Sequence, residues 1–238
     1  MRRSLLTTAS LLFAIAPATM ASAQAAENGW SGEGQLGVSL TTGNTEDTAL
    51  LAALKLNYTA DRFSHSFRAL ADYRDSFDVT TNEEYALGYQ LNYDVDDQLY
   101  GFGSVDWERN EFAGRTNRWT ESVGLGVHAI ATPTTQLDLE GGIAFRQTDY
   151  TLGAGNGETA ARLRGYLSHA FNENVSVSQE VIGIIGESNT VDSISAVTAK
   201  VTDALALRAS YEVTYDSAPL PGLKETDTAT RLGVVYGF

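Results

Sequence analysis

Apolar and polar side chains trade places at every position along most of this chain, over runs of about 10–14 residues. The polar positions carry formal charges. Tyr85, Leu87, Tyr89, Leu91 and Tyr93 alternate with Ala86, Gly88, Gln90, Asn92 and Asp94. Leu205, Leu207, Ala209, Tyr211, Val213 and Tyr215 alternate with Ala206, Arg208, Ser210, Glu212 and Thr214. Phe63, Phe67, Ala69, Ala71 and Tyr73 oppose Ser64, Ser66, Arg68, Leu70, Asp72 and Arg74, and Leu137, Leu139, Ile143 and Phe145 oppose Asp138, Glu140, Gly142 and Arg146. A period of two is the period of a strand. Strands of soluble domains average about 5–6 residues, whereas a tilted strand crossing a bilayer needs about 9–11. A sandwich core does not accept a charged face, but a closed barrel with a wet interior does. The pattern therefore predicts an all-β fold, a transmembrane up-and-down antiparallel β-barrel.

About twelve strands are expected, over 31–42, 46–59, 62–76, 82–95, 98–111, 117–131, 135–149, 158–171, 174–187, 190–201, 204–216 and 224–238. The stretch 174–201 is the least regular, because Ile182, Ile184 and Ile185 put apolar groups on both faces. Tight turns at 59–61, 94–98, 132–134, 172–174 and 202–203 alternate with longer connections at 41–46, 77–82, 112–116, 152–157 and 218–224. Short turns on the periplasmic side and longer loops outside are what an outer-membrane barrel shows. Aromatics gather at both strand ends: Tyr58, Phe63, Tyr93, Phe171 and Phe238 at one, Tyr73, Tyr85, Trp107, Trp119 and Tyr215 at the other. Two interfacial girdles are expected from them.

The N-terminus has its own logic. Arg2 and Arg3 precede an apolar stretch from Leu5 to Ala16, and Ala21-Ser22-Ala23 has small residues at a cleavage spacing. This predicts a secretory signal peptide over 1–23, then a short lead over 24–30 and the barrel over 31–238. The destination is the outer membrane of a Gram-negative bacterium. Cysteine is absent, so no disulfide supports the fold. The formal charge of −14 becomes −16 without Arg2 and Arg3, which excludes nucleic acid as a natural partner, since that affinity depends on neutralised phosphates. The partners expected instead are outer-membrane lipid and lipopolysaccharide, the barrel-assembly machinery, and small ions or solutes. Acidic outer loops would suit divalent cations bridging lipopolysaccharide.

The last strand, Arg231-Leu232-Gly233-Val234-Val235-Tyr236-Gly237-Phe238, ends in an aromatic carboxy-terminal residue. Arg231, Gly233, Tyr236 and Phe238 match the pattern read by the assembly machinery, which pairs with an open edge strand. The predicted inward face carries Lys55, Arg68, Asp72, Arg74, Asp106, Glu108, Asp138, Glu140, Arg146, Arg162, Arg164, Glu180, Lys200, Arg208, Glu212 and Arg231. Two readings stay open for these charges: a salt-bridged plug, or a narrow lumen that conducts small charged solutes. Arg146, Arg162 and Arg164 lie on adjacent strands, where they would form a basic ladder.

Catalytic and metal-binding patterns are sparse. The three histidines are His65, His128 and His169, and no His-x-Ser occurs. His65 and His169 read as girdle residues. His128 faces the lumen, where an outer-membrane hydrolase would need a Ser or an acid beside it. There is no Cys/His metal spacing, and Gly153-x-Gly155-x-Gly157 has no helix after it to form a phosphate cradle. No enzyme activity, cofactor or metal is expected.

Two local motifs remain. Thr42-Gly43-Asn44-Thr45 follows the first strand. Leu99-Tyr100-Gly101-Phe102-Gly103-Ser104 leads through Arg109-Asn110-Glu111-Phe112-Ala113-Gly114 to Gly124-Leu125-Gly126. Together they resemble the YdiY-like proteins, called salt-induced outer-membrane proteins, over roughly 30–238. The resemblance implies an outer-membrane barrel, with no catalytic residues and no established substrate. It also hints at a non-conducting envelope-stress barrel beside the channel reading.

Overall fold

A computed structural model describes residues 29–41, 47–219 and 221–238. The expected signal peptide and the Thr42-Gly43-Asn44-Thr45 motif lie outside these residues. The described chain forms twelve strands: β1 Gly29–Thr41, β2 Asp47–Ala60, β3 Phe63–Ser76, β4 Val79–Asp94, β5 Leu99–Asn110, β6 Arg115–Ala131, β7 Thr135–Tyr150, β8 Asn156–Ala170, β9 Val175–Ile185, β10 Thr190–Lys200, β11 Leu205–Asp216 and β12 Thr226–Gly237. Each pairs antiparallel with its sequence neighbours, and β12 pairs with β1, closing the barrel. We call the end that holds the last strand's carboxy terminus the near rim and the opposite end the far rim. The fold is the all-β antiparallel barrel that the alternation predicts.

The strands are steeply tilted, as closure requires. Trp30 at the near end of β1 faces Tyr58 on β2, and the row of partners continues through His65, Leu91, Gly103, Val123, Ile143 and Ala161. It ends at Ile185, the far end of β9.

The solvation pattern is inverted relative to a soluble domain. Leu87, Leu125, Ile143, Leu163 and Leu232 lie exposed on the outer wall, while Asp72, Glu140, Arg146, Glu158 and Arg162 are buried inside. Ala144, Ala160 and Ile184 form a small apolar cluster in the interior. Ile184 therefore points inward, which accounts for the irregular alternation of β9: it packs with Ala144 and Ala160 while standing opposite Arg162 in the ladder. Near-rim aromatics pair around the wall, Trp30 with Tyr58 at 4.9 Å between ring centroids and Phe63 with Tyr93 at 5.0 Å. On the far side Trp107 and Trp119 lie 6.4 Å apart.

One connection differs from expectation. The longer loop expected over 77–82 is a two-residue turn, because Val79 to Asn82 continue β4 and pair with β3. Phe77 and Asp78 both have positive φ, 51° and 58°. Two consecutive positive φ values match the right-handed twist of a tight hairpin, and the ladder absorbs the length difference in a bulge between Arg74 and Asp75.

The closing ladder is short, running from Glu33–Gly237 to Leu36–Val234. Two backbone hydrogen bonds between Gly32 and Phe238 extend it, 2.8 and 3.0 Å. The Phe238 ring lies over Gly32, where an added Cβ would meet it at 2.7 Å.

Candidate functional site

The lumen is filled on one side. Tyr100 and Phe102 project inward from β5, a strand whose opposite neighbour is bare. A Cβ on Gly126 would come within 2.2 Å of the Tyr100 ring, and one on Gly124 within 2.8 Å of Phe102. The missing side chains let both rings lie flat against the wall. Tyr100 stacks on His128 at 4.7 Å, and the Arg162 guanidinium sits over Phe102 at 4.7 Å.

Between the rings lies the Glu140 carboxylate. It accepts from Arg162 Nη1 at 2.5 Å, Arg164 Nη1 at 2.9 Å, Gln90 Nε2 at 2.9 Å and the Tyr100 hydroxyl at 3.0 Å. Arg164 also donates to Glu180 at 2.6 Å. Residues of β4, β5 and β8 thus converge on one carboxylate of β7, and Arg164 links it to Glu180 on β9. Such charge-assisted bonds are the strong ones, and a buried ion needs this degree of saturation to be tolerated.

Further ion pairs lie toward the far rim. Arg146 holds Glu158 and the Ser188 carbonyl, and donates to Thr190 at 2.8 Å. Arg115 meets Glu108 at 2.5 Å and reaches Asp216 on β11 at 3.4 Å, while Arg118 approaches Asp216 at 3.8 Å. Since β6 and β11 are not neighbours, these contacts cross the interior. Asp72 binds both Arg74 and Arg231, and Arg231 also meets Glu212.

The other side is looser. Arg208 holds Glu33 through two bonds of 2.8 and 2.9 Å, and Arg68 holds Asp106 at 2.9 Å. The side chains of Arg68 and Asp106 are each 35% exposed, whereas those of Arg162 and Glu140 are 2% and 0% exposed. Both sets face the interior, so the contrast shows more room around the Arg68–Asp106 pair than around the Glu140 knot.

Residues 34–238 match a family described as "Protein of unknown function, DUF481". The chain belongs to the DUF481 family. It is 25% identical over 198 residues to the uncharacterized protein YdiY of Escherichia coli K12, covering 83% of this chain and 79% of that protein. Among solved structures, a NanC porin superposes with a TM-score of 0.52 at 12% identity, over 87% of this chain and 98% of that one. The COG4313 outer membrane channel from Pseudomonas putida F1 gives 0.53 at 13% identity, over 90% and 97%. At such identity these likenesses establish a shared barrel architecture.

In this DUF481 barrel, Arg68, Asp72, Arg74, Glu108, Arg146, Arg162, Arg164, Arg208, Glu212 and Arg231 all take inward positions in the ladders. The basic ladder expected of Arg146, Arg162 and Arg164 does not form. Each of the three is matched to Glu158, Glu140 or Glu180, because every strand beside them contributes an acid at the same height. Gly233 of the last strand faces inward beside Gln35, and Phe238 lies outward against the closing seam.

Alternation alone did not single out Glu33, Gln90, Tyr100, Phe102, Arg115, Arg118 and Glu158. The two aromatics were hidden by being apolar on a polar face. Their signals were the run of glycines across from them and their place in the Leu99–Ser104 motif. Arg115 was hidden by register shifts in β6 that break the period of two.

His128 has an acid on each ring nitrogen, Asp138 at 2.8 Å and Asp94 at 3.7 Å. Among the described residues no serine hydroxyl is bonded to a histidine; His65 bonds the Tyr89 hydroxyl and His169 the Thr135 hydroxyl. The described residues contain no group of three or more potential ligands that could hold a metal.

Proposed function

We propose that this protein is a narrow outer-membrane channel for small charged solutes. It is delivered by a cleaved leader over 1–23 and has its near rim in the periplasm. Its last strand, through Arg231, Gly233, Tyr236 and Phe238, is the element the assembly machinery reads, and outer-membrane lipid and lipopolysaccharide surround the apolar wall. The reading is carried by one observation: the ion pairs of the lumen are not all closed over, and Arg68–Asp106 and Arg208–Glu33 stay partly exposed. The side chains of Arg68, Asp106 and Glu33 stay 35% exposed and that of Arg208 22%, although those of Asp72 and Arg231 nearby are only 3% and 13% exposed. A structural plug would bury the Arg68–Asp106 and Arg208–Glu33 pairs as deeply as Arg162 and Glu140, since an unfilled polar interior admits water.

The test is single-channel recording of the refolded mature chain in a planar lipid bilayer. Steady unitary steps, abolished when the protein is unfolded beforehand, are the expected result. Folded protein that inserts without conducting would overturn the channel and leave a closed envelope-stabilising barrel. The extensive pairing of the knot is the feature that favours that second reading.

A further inference from the structure

Every lumen-facing arginine in the described residues holds a carboxylate, but the two lumen-facing lysines, Lys55 and Lys200, hold none. Lys55 is the more telling of the two. In the ladders it lies directly between Glu33 and Arg68. Glu33 is occupied by both arms of Arg208, and Arg68 is another cation, turned away to Asp106. Lys55 instead reaches across the lumen. Its ammonium stands 5.7 Å from the centre of the Tyr166 ring, although Lys55 is on β2 and Tyr166 on β8, on opposite sides of the closed strand order. Arg164 approaches the same ring at 5.4 Å. The four neighbouring arginines Arg68, Arg162, Arg164 and Arg208 are matched by Asp106, Glu140, Glu180 and Glu33. Lys55 is the cation of this belt held in no ion pair, although Glu33 and Glu180 lie near enough to interact with it electrostatically.

We infer that Lys55 and Tyr166 form the constriction of the pore, and that Lys55 makes this constriction selective for small anions, carboxylates included, in an otherwise acidic protein. This rests on the channel reading above. A lysine suits the role because its ammonium is a mobile point charge on a flexible stem, held by no fixed fork of hydrogen bonds. Its contact with an aromatic face is weak enough to yield to a passing anion.

The experiment measures reversal potentials in a potassium chloride gradient for the wild type, Lys55→Met, Lys55→Glu, Lys55→Arg and Tyr166→Ala. A unit charge about 5 Å from an ion in water changes its occupancy on the order of fourfold. The chloride-to-potassium permeability ratio should therefore exceed one in the wild type, fall about fourfold in Lys55→Met, and drop below one in Lys55→Glu. Lys55→Arg should keep the wild-type ratio, and Tyr166→Ala should raise the unitary conductance. Added potassium succinate should reduce the chloride current of the wild type and leave that of Lys55→Met unchanged. A conducting wild type whose selectivity does not move with Lys55 overturns this inference and leaves the channel standing. A cation-selective wild type overturns it too, by showing that the acidic mouth governs. A folded, non-conducting wild type overturns both readings.

Discussion

Removal of the Glu140 carboxylate tests whether the lumen is as dry on its filled side as the geometry says. In Glu140→Ala, Arg164 keeps Glu180 and Tyr100 loses an acceptor. Arg162 suffers most: buried to 2% exposure, it would be left with a 3.3 Å bond to Gln90 Oε1 and the face of Phe102. Breaking one side of a buried pair costs roughly 3–5 kcal/mol, because the remaining charge is stranded. Tyr100→Phe removes one of four donors to the same carboxylate and should cost roughly 1–3 kcal/mol. Combined with Glu140→Ala it should add much less than that, since both act on one network. Lys55→Met, which breaks no ion pair, should cost under about 1 kcal/mol. The assay is urea unfolding of protein refolded into lipid vesicles, followed by tryptophan fluorescence, with each variant's folded state checked by its shifted mobility on unheated gels. If Glu140→Ala costs no more than Lys55→Met, then water reaches Arg162, and the division of the lumen into a filled and an open side is wrong.

Three further expectations follow from single contacts. Gly126→Val drives a side chain into the Tyr100 ring, and overpacking of this kind costs about 1–3 kcal/mol; the same unfolding assay should show the loss, and a second substitution, Tyr100→Ala, should restore most of it. Gly32→Val puts atoms where the terminal Phe238 ring lies across the closing seam, so it should lower the fraction of heat-modifiable, folded barrel on gels, with Phe238→Ala in the same chain recovering part of it. Asp96 accepts the backbone N–H groups of Gln98 and Leu99 in a near-rim turn, both at 2.8 Å, and these bonds hold its carboxyl below the ordinary range. A lowered folded-state value means that its support is present above the unfolded value of about 3.9 and disappears as pH falls through the folded one. The stability difference between wild type and Asp96→Ala, measured by urea titration at stepped pH, should therefore shrink below about pH 4 and be constant above pH 6.

The barrel was legible because its signal is strictly local. A strand's two faces are read from single positions, so Tyr85 to Asp94 announce β4 without knowledge of any other strand. The inward charges were legible for the same reason. What alternation could not express was pairing between strands that are far apart in sequence. Arg162 and Gln90 meet though 72 positions separate them, and whether an inward arginine is free or neutralised depends on the height of acids on other strands. Height in turn depends on tilt and bulges. The shifts near Arg115 and Arg74 are where the simple period fails, and the turn at Phe77-Asp78 carries no hairpin signal because its residues are not the Asn and Gly that usually adopt positive φ.

The same considerations explain why one residue pattern served two readings, plug and pore. Both need charges of both signs on alternate positions. What separates them is the volume that accompanies the charge. On β5 to β8 the acids and arginines come with Tyr100 and Phe102, and with glycines that let those rings turn flat, so ions and rings together exclude water. On β1 to β3 and β10 to β12 the inward neighbours of the charges include Ala206, Ser210 and Gly233, which add little bulk. Charge balance therefore governs the knot around Glu140, where an unmatched ion would be costly, and is less strict at the partly exposed pairs Arg68–Asp106 and Arg208–Glu33. The Lys55 ammonium, held in no ion pair and facing the Tyr166 ring across the lumen, is therefore the inward charge most sensitive to how much water the lumen admits.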